Sequence, residues 1–333
     1  MQKPPADSAT AGPGTAGPAT AGSAAAAAPD WLPALLAGER SALARAITAV
    51  ENETAAARAV LQAIRDRLGH ALVVGFTGAP GAGKSTLVSA YIDVLRARGQ
   101  TVGVVAVDPS SPLTGGAILG DRIRMTRHSG DAGVFIRSLA SRGHLGGLSR
   151  TAARVIDVFD AAGRDVVVVE TVGTGQSEVE VAEIADVRVV VNAPGLGDDV
   201  QAIKAGILEI ADVLVVNKAD LPFAERSARQ LAAMSAQRGD KPVPVLQTAA
   251  STGRGVADLA DAIAAIGRRK RPDPRARTRR LLQALALDAL RRRILGLPDS
   301  TIDALADDLL SGAVDTETAL SRMMTLLQDN PHP

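Results

Sequence analysis

The chain has 333 residues and carries 37 basic against 36 acidic side chains, a formal net charge of +1. This balance argues against a broadly basic surface that grips nucleic acid, and an aromatic content of 2% leaves few rings on which bases could stack. The absence of cysteine excludes disulfides, thiolate metal sites and a cysteine nucleophile, and no apolar run reaches the roughly 18–20 residues that a membrane helix needs.

The first 70 residues divide into two segments. Residues 1–30 are almost entirely Ala, Gly, Pro, Ser and Thr, a composition that predicts a disordered tail. In residues 31–70 apolar side chains recur at spacings of three and four, which predicts a helical segment, with Gly69 as its C-cap.

Residues 71–267 alternate short β-branched runs with helical stretches. The predicted strands are 71–76, 102–107, 165–170, 187–191, 213–216 and 243–246. Several of these runs are apolar throughout, as in strands covered on both faces. The alternation predicts an α/β fold with a doubly wound, mostly parallel sheet.

The last segment, 268–333, begins with a basic stretch. Residues 268–280 contain eight Arg or Lys and are interrupted by Pro272 and Pro274. We interpret them as a solvated linker; the alternative is a contact with a phosphate-bearing partner. Residues 281–295, 300–310 and 315–327 predict three amphipathic helices that pack on the main domain or pair with a second copy.

The strongest motif follows the first predicted strand and precedes a helical run. It fits the phosphate-loop pattern G-x-x-x-x-G-K-[ST] and consists of Gly78, Ala79, Pro80, Gly81, Ala82, Gly83, Lys84 and Ser85, with Thr86 next. Its glycines let backbone N–H groups surround phosphates, and the helix N-terminus adds positive potential. Lys84 is predicted to reach the β- and γ-phosphates, and Ser85 to ligate Mg²⁺.

A second motif, N-K-x-D, indicates which base is bound. Asn217, Lys218 and Asp220 follow the apolar strand 213–216. A carboxylate at Asp220 can accept both N–H groups of the guanine edge, a donor pair that adenine lacks, so an adenine complex would leave it partly unpaired at a cost of ~1–3 kcal/mol. The backbone of Thr248, Ala249 and Ala250 is expected near guanine O6. We therefore expect GTP and GDP rather than ATP.

Three acidic positions are candidates for the metal and for sensing the γ-phosphate. Asp108 directly follows the second predicted strand, which we expect beside the phosphate-loop strand, and Asp121 follows a Gly-rich stretch. Asp121 is equally well explained as a helix N-cap, and the two roles are compatible. Glu170 begins an element like the D-x-x-G of GTPases, in which Gly173 can turn its N–H onto the γ-phosphate.

The position after Gly173 bears on the rate of hydrolysis. In Ras-like GTPases this position carries the Gln that orients water, whereas here it is Thr174, and Gln176 lies two residues further on. We therefore predict slow intrinsic hydrolysis that another group or a partner completes. His128 and His144 lie in similar loop-like sequence; such residues either bind a metal or cofactor or, more commonly, hydrogen-bond a loop.

Together these residues resemble the MeaB-type GTPases, also called ArgK, which are metallochaperones of methylmalonyl-CoA mutase and related cobalamin-dependent acyl-CoA mutases. The resemblance covers about residues 31–330. It is carried by residues 78–86, 108–125, 135–149, 170–178 and 195–220 and by the helical C-terminus.

The resemblance implies a dimeric α/β G domain that dimerises through its C-terminal helices. The absence of cysteine is compatible with a reducing cytoplasm, which is the expected location. GTP hydrolysis with Mg²⁺ would gate delivery of adenosylcobalamin, and the mutase rather than this chain would hold the cobalamin. Lys84 and Ser85 would hold phosphate and metal, and Asp108, Asp121 and Glu170 would form the acidic shell. Lys204, in a switch loop at 198–204, would link partner binding to hydrolysis, unless it is an ordinary exposed helix residue.

Three other classes of function are alternatives to this chaperone role. An ATP-dependent kinase linked to transport of basic amino acids is disfavoured by Asp220. A GTPase linked to nucleic acid or the ribosome would use the 268–280 stretch, against which the low aromatic content and the near-neutral charge argue. A nickel-inserting GTPase would need Cys and His clusters, and this chain has no Cys and only four His.

Overall fold

The computed structural model describes residues 28–108, 126–140, 147–171, 184–195, 209–237, 242–270 and 273–329. Its centre is a sheet of seven strands in the order β3-β2-β4-β1-β5-β6-β7, in which every neighbouring pair is parallel. The strands are β1 Leu72–Gly78, β2 Val102–Asp108, β3 Val134–Ala140, β4 Val166–Thr171, β5 Val187–Asn192, β6 Val213–Val216 and β7 Val245–Gln247. The predicted doubly wound α/β fold is confirmed.

Helices cover both faces of this sheet, so the core has two layers. They are α1 Leu32–Leu36, α2 Arg40–Glu51, α3 Ala55–Ala63, α4 Lys84–Ala97, α5 Gly147–Ala161, α6 Ala224–Ala236, α7 Val256–Lys270, α8 Pro274–Leu295, α9 Asp299–Leu310 and α10 Thr316–Asp329. One face packs against α1, α2, α3 and α5, the other against α4 and α7, and α6 covers β6 and β7. Every residue of β4 is buried, as expected for a central strand covered on both faces.

The six strands predicted from sequence all overlap observed strands, but β3 was missed. It is one of the two edge strands of the described sheet and pairs with β2, and its stability comes from residues that are distant in the chain. Phe135 packs edge-on against Phe159 of α5, and Arg137 forms an ion pair with Glu51 of α2. The polar pair Arg137 and Ser138 breaks the apolar run that marks the other strands.

The N-terminal segment forms three helices and a 3₁₀ turn, Arg65–Arg67, whose apolar residues join the core of the sheet. The prediction that Gly69 caps a helix is wrong, because α3 ends at Ala63. Gly69 instead has a positive φ of 100° in the link to β1. Its N–H donates to Asp160 Oδ2 at 2.7 Å, and the N–H groups of His70 and Ala71 donate to Oδ1 of the same carboxylate.

The described part of 268–280 is largely helical, so the prediction of a linker is wrong there, whereas Arg268, Arg269, Arg275 and Arg279 are exposed as predicted. Helix α7 continues to Lys270, and α8 begins at Pro274, where the Asp273 side chain accepts hydrogen bonds from the N–H groups of Arg275 and Ala276. Arg277 is only 2% exposed and forms a 3.0 Å ion pair with Asp186. Asp186 is itself buried, and its pairing with Arg277 offsets the high cost of an unpaired buried carboxylate.

The three predicted C-terminal helices correspond to the second half of α8 and to α9 and α10. They leave large apolar side chains exposed, including Leu287, Leu295 and Leu310. Within the described ranges, no helix is both long and apolar enough to cross a membrane.

Candidate functional site

The phosphate-loop motif lies between β1, at the centre of the sheet, and the N-terminus of α4. Two of its glycines are required by their surroundings. Gly78 has a φ of 136°, and a Cβ there would lie 2.0 Å from the carbonyl oxygen of Val191. Gly83 has a φ of 84°, and a Cβ there would lie 2.6 Å from Asn217 Nδ2. The loop can therefore adopt this path only with glycine at both positions.

Lys84, the first residue of α4, is 7% exposed. Its Nζ donates to the carbonyl oxygens of Gly78 at 2.8 Å and Ala79 at 3.1 Å, so the ammonium group lies across the loop. Its positive charge adds to that of the helix N-terminus beside it. The loop thus presents a cation and a helix N-terminus in the arrangement that binds phosphate groups in proteins.

Ser85 and Glu170 form the acidic part of this site. Ser85 Oγ donates to Glu170 Oε1 at 2.6 Å, and both residues are at most 5% exposed. Glu170 lies near the end of β4, which pairs directly with β1. A hydroxyl and a carboxylate oxygen are the hard ligands that Mg²⁺ prefers, so this donor set fits the metal.

The expected position of Asp108 is wrong. Asp108 ends β2, but β2 pairs with β3 and β4 and not with β1, because β4 lies between them. Strand β4, which pairs with β1, instead carries Glu170 next to its last residue.

Asn217 joins the base-recognition motif to the phosphate loop. It is 1% exposed, and its Nδ2 donates to the carbonyl oxygens of Ala82 at 3.0 Å and Gly83 at 3.3 Å. Its Oδ1 accepts from Thr248 Oγ1 at 3.0 Å and from the N–H of Ala250 at 3.2 Å. One buried amide thereby fixes three segments relative to each other.

The other residues of the base motif form a turn at the same edge of the sheet. Lys218 has a positive φ of 55°, and its carbonyl oxygen accepts the N–H of Leu221. Asp220 is exposed at the top of this turn. The N–H of Ala219 donates to the carbonyl oxygen of Thr248, which is completely buried, and Ala249 is 1% exposed. The structure therefore brings the residues predicted to contact guanine together beside the phosphate loop.

Sequence reasoning missed Asn192 at this edge. It ends β5, is 2% exposed, and its carbonyl oxygen accepts the N–H of Asn217 at 2.7 Å. The available signal was a polar residue directly after the apolar run Val189–Val191, at the carboxyl end of a strand next to the phosphate strand.

Several predicted site residues lie outside the described ranges. They are Asp121, His144, Gly173, Thr174, Gln176 and Lys204, together with the rest of the 198–204 loop. Their roles stay predictions.

His128 is a buried hydrogen-bonding residue. Its Nε2 lies 2.9 Å from Ser89 Oγ, on the helix that begins with Lys84. Burial lowers the pKa of His128 from its ordinary 6.5, the nearby carboxylate of Asp93 opposes that effect, and Arg127 adds to it. Among the described residues, no group of three or more His, Asp or Glu side chains is placed to hold a metal ion.

Comparison with known proteins agrees with this geometry. A family model described as methylmalonyl Co-A mutase-associated GTPase MeaB matches residues 43–299. A relative from Pyrococcus horikoshii that is named as a GTPase is 52% identical over 229 residues, covering 67% of this chain and 72% of the relative. The GTPase ArgK of Escherichia coli is 49% identical over 187 residues, covering 55% of this chain and 56% of the relative.

A solved structure supports the fold over nearly the whole chain. The crystal structure of a protein described as LAO/AO transport system kinase superposes with a TM-score of 0.66 at 29% sequence identity. The match covers 89% of this chain and 96% of that one.

Proposed function

The chain belongs to the family of methylmalonyl-CoA mutase-associated GTPases called MeaB, and from this membership we propose that it is a Mg²⁺-dependent GTP-hydrolysing chaperone of a cobalamin-dependent acyl-CoA mutase. In this function GTP binding and hydrolysis gate the loading, protection and reactivation of the adenosylcobalamin that the mutase holds. Methylmalonyl-CoA mutase is the proposed partner, because the family is named for its association with that enzyme.

The observation that carries the nucleotide part of the proposal is the position of Asn217. Its amide donates to the phosphate loop at Ala82 and Gly83 and accepts from Thr248 and Ala250 on the loop after β7. These bonds fix the separation between a phosphate-binding loop and a base-selecting turn, as one nucleotide requires. Asp220 on that turn supplies the carboxylate that pairs with guanine.

The residues around the phosphate loop support a catalytic role. Lys84 and the N-terminus of α4 would stabilise the negative charge of the β- and γ-phosphates, which increases at the bridging oxygen as the bond breaks. Ser85, with Glu170, would hold Mg²⁺, which supplies a Lewis acid that neutralises phosphate charge. Asp121, Gly173 and Lys204 complete the proposed catalytic set, and Asp108 the proposed metal shell.

Thr174, at the position where Ras-like GTPases carry their water-orienting Gln, supports the proposal that hydrolysis is slow without the partner. Lys204 would then supply positive charge to the transition state when the mutase binds, as arginine fingers do elsewhere.

A homodimer built on the C-terminal helices is part of the proposal. Leu287, Leu295 and Leu310 are 69%, 73% and 86% exposed. Apolar side chains exposed at this level on neighbouring helices are typical of protein–protein contact surfaces.

A second candidate function is an ATP-dependent kinase. The solved structure described as LAO/AO transport system kinase favours it. The N-K-x-D motif argues against it, since Asp220 selects guanine.

The proposed control of adenosylcobalamin loading by GTP is tested by measuring the loading of the mutase directly. Purified methylmalonyl-CoA mutase without cofactor is mixed with this protein and adenosylcobalamin, and loading is followed by the cobalamin absorbance. We expect that GTP permits rapid loading, and that GDP, a non-hydrolysable GTP analogue, or Lys84→Ala protein with GTP does not. Loading at the same rate under all four conditions would refute the proposal that GTP hydrolysis controls loading.

A further inference from the structure

Helix α4 makes a second buried polar contact one turn beyond Ser85. Ser89 lies four residues further along, and residues at this spacing share one face of a helix, about 6 Å apart along its axis. Ser89 Oγ lies 2.9 Å from Nε2 of His128. His128 ends a short 3₁₀ turn, Thr126–His128, that precedes β3. The face of α4 that contacts β4 through Glu170 is therefore also fixed to this turn.

The contact between Ser89 and His128 is buried and has a defined direction. Ser89 is 4% exposed and His128 is 5% exposed. Arg127 Nε, which also lies 3.3 Å from His128 Nε2, donates its one proton to Ser89 Oγ at 2.8 Å. The hydroxyl proton of Ser89 is then directed to Nε2, which accepts it as part of a neutral imidazole. The lowered pKa of His128, caused mainly by burial, agrees with a neutral ring at pH 7.

Arg127 is held in place by an ion pair at the protein surface. Its Nη2 lies 2.5 Å from Oδ2 of Asp93, which follows Ser89 by four residues on α4. Both side chains of the pair are about half exposed, so the pair itself adds little to stability. It nevertheless keeps Arg127 Nε against Ser89 Oγ, and Asp93 Oδ1 lies 3.7 Å from His128 Nε2. The ion pair thus orients the Ser89 hydroxyl towards His128.

The position of Ser85 connects this contact with the nucleotide site. Ser85 lies in the first turn of α4, where backbone N–H groups have no partners within the helix and are available to phosphate. A helix that is held on one face at two successive turns cannot rotate about its axis without breaking one of the two contacts. The rotation of α4 decides where Ser85 Oγ points. The bond from Ser89 to His128 therefore restrains the direction of that hydroxyl.

We propose that His128 and Arg127 are positioning residues of the metal site, which act through Ser89 to hold α4 in the rotation that directs Ser85 Oγ towards Mg²⁺. Neither residue contacts the metal or the nucleotide in this role. The inference rests on the proposed GTPase function, in which Ser85 ligates Mg²⁺. It assigns to the buried histidine a function beyond stabilising the turn that it ends.

The test follows the release of fluorescently labelled GDP as Mg²⁺ is titrated, and it requires no hydrolysis. Mg²⁺ held by Ser85 and the phosphates is expected to slow release. In His128→Phe, which keeps a ring but removes the acceptor, we expect the Mg²⁺ concentration for half-maximal slowing to rise about 3–10-fold, the range of one hydrogen bond. Release in excess EDTA should match the wild type. His128→Gln supplies an amide oxygen that can accept from Ser89 and should restore the wild-type Mg²⁺ requirement.

Two further variants separate positioning from a general effect. Ser89→Ala should raise the Mg²⁺ requirement as much as His128→Phe, and the double variant should raise it no further, because both changes remove one bond. His70→Phe changes an exposed histidine and is the matched control.

A wild-type Mg²⁺ requirement in His128→Phe, even with lower stability in urea, would overturn the positioning role, and so would additive effects in the double variant. If Mg²⁺ did not slow GDP release from the wild type, the proposed metal site would be refuted together with this inference.

Discussion

Ser85 and Glu170, 85 residues apart in the chain, form a buried hydrogen bond of 2.6 Å. The bond joins the first turn of α4 to the end of β4. It thereby links the phosphate loop to Glu170, which lies three residues before Gly173, the predicted γ-phosphate sensor. It places a carboxylate beside the hydroxyl that is proposed to ligate Mg²⁺.

Glu170→Gln preserves the shape of this side chain but removes its charge. We expect the Mg²⁺ concentration for half-maximal GTP hydrolysis to rise about 10–100-fold, because the metal shell loses its buried carboxylate, and GDP affinity in excess EDTA to stay unchanged. The measurement is hydrolysis as a function of MgCl₂. The matched control is Glu225→Gln, whose side chain is 78% exposed. An unchanged Mg²⁺ requirement in Glu170→Gln would exclude the metal role.

Asn217→Ala tests the connection between the base motif and the phosphate loop. It removes the hydrogen bonds to Ala82, Gly83, Thr248 and Ala250 and leaves buried polar groups without partners. We expect the free energy of unfolding in urea to fall by about 2–4 kcal/mol. GDP should also dissociate faster.

The control for Asn217 is Asn52→Ala, which removes one exposed hydrogen bond to the carbonyl oxygen of Thr48. We expect this variant to retain stability and GDP dissociation close to the wild type. If Asn217→Ala released GDP at the wild-type rate, the amide would have a structural role only.

The central strands could be predicted because their burial is visible in the hydrophobicity of their own residues. In β4 the run Val166–Val169 is buried on both faces, and an unbroken run of β-branched residues is typical of such a strand. The phosphate loop could also be predicted, since the pattern G-x-x-x-x-G-K-[ST] is complete within residues 78–85, and the positive φ of Gly78 and Gly83 agrees with glycine at both positions.

The missed features depend on distant residues. The order of strands placed Glu170, and not Asp108, beside the phosphate loop, and no local pattern encodes that order. Arg277 was predicted to be part of a solvated basic stretch, because its partner Asp186 lies 91 residues away in the chain and is not visible in the local sequence. The edge strand β3 depends on β2 and on Glu51 for the same reason.

Asp157→Asn tests the charge balance around the buried Arg277. Burial raises the pKa of Asp157 to about 6, helped by Asp160 and opposed by Arg277. The folded-state pKa lies above the unfolded value of 3.8, so the folded protein takes up the proton first as the pH falls. The ionised carboxylate thus costs stability above about pH 6, and the cost disappears as the pH falls towards 4.

Urea unfolding at several pH values measures this cost. Since 30% of the side chain is exposed, we expect Asp157→Asn to raise the free energy of unfolding by only about 1–2 kcal/mol at pH 8 and not at pH 4. Asp303→Asn, at an exposed position on α9, is the control. Destabilisation by Asp157→Asn at pH 8 would mean that its attraction to Arg277 exceeds the cost of burial.

The double variant Leu295→Asp, Leu310→Asp tests the proposed homodimer. Both side chains are more than 70% exposed in the single chain, so the substitutions should leave the fold of the monomer intact. We expect sedimentation to give a dimer mass for the wild type and a monomer mass for the variant, because burial of two carboxylates opposes association. Phe223→Asp, which changes an exposed apolar side chain outside the C-terminal helices, should remain dimeric. A dimeric double variant would place the interface elsewhere.

Measuring GTP hydrolysis with and without methylmalonyl-CoA mutase, with ATP in parallel, tests the proposed function most directly. We predict slow hydrolysis of GTP by the isolated protein, strong stimulation by the mutase and no comparable hydrolysis of ATP. Turnover of several GTP per second by the protein alone would refute the proposed dependence on a partner. Hydrolysis of ATP in preference to GTP would contradict the role of Asp220 and support the kinase function instead.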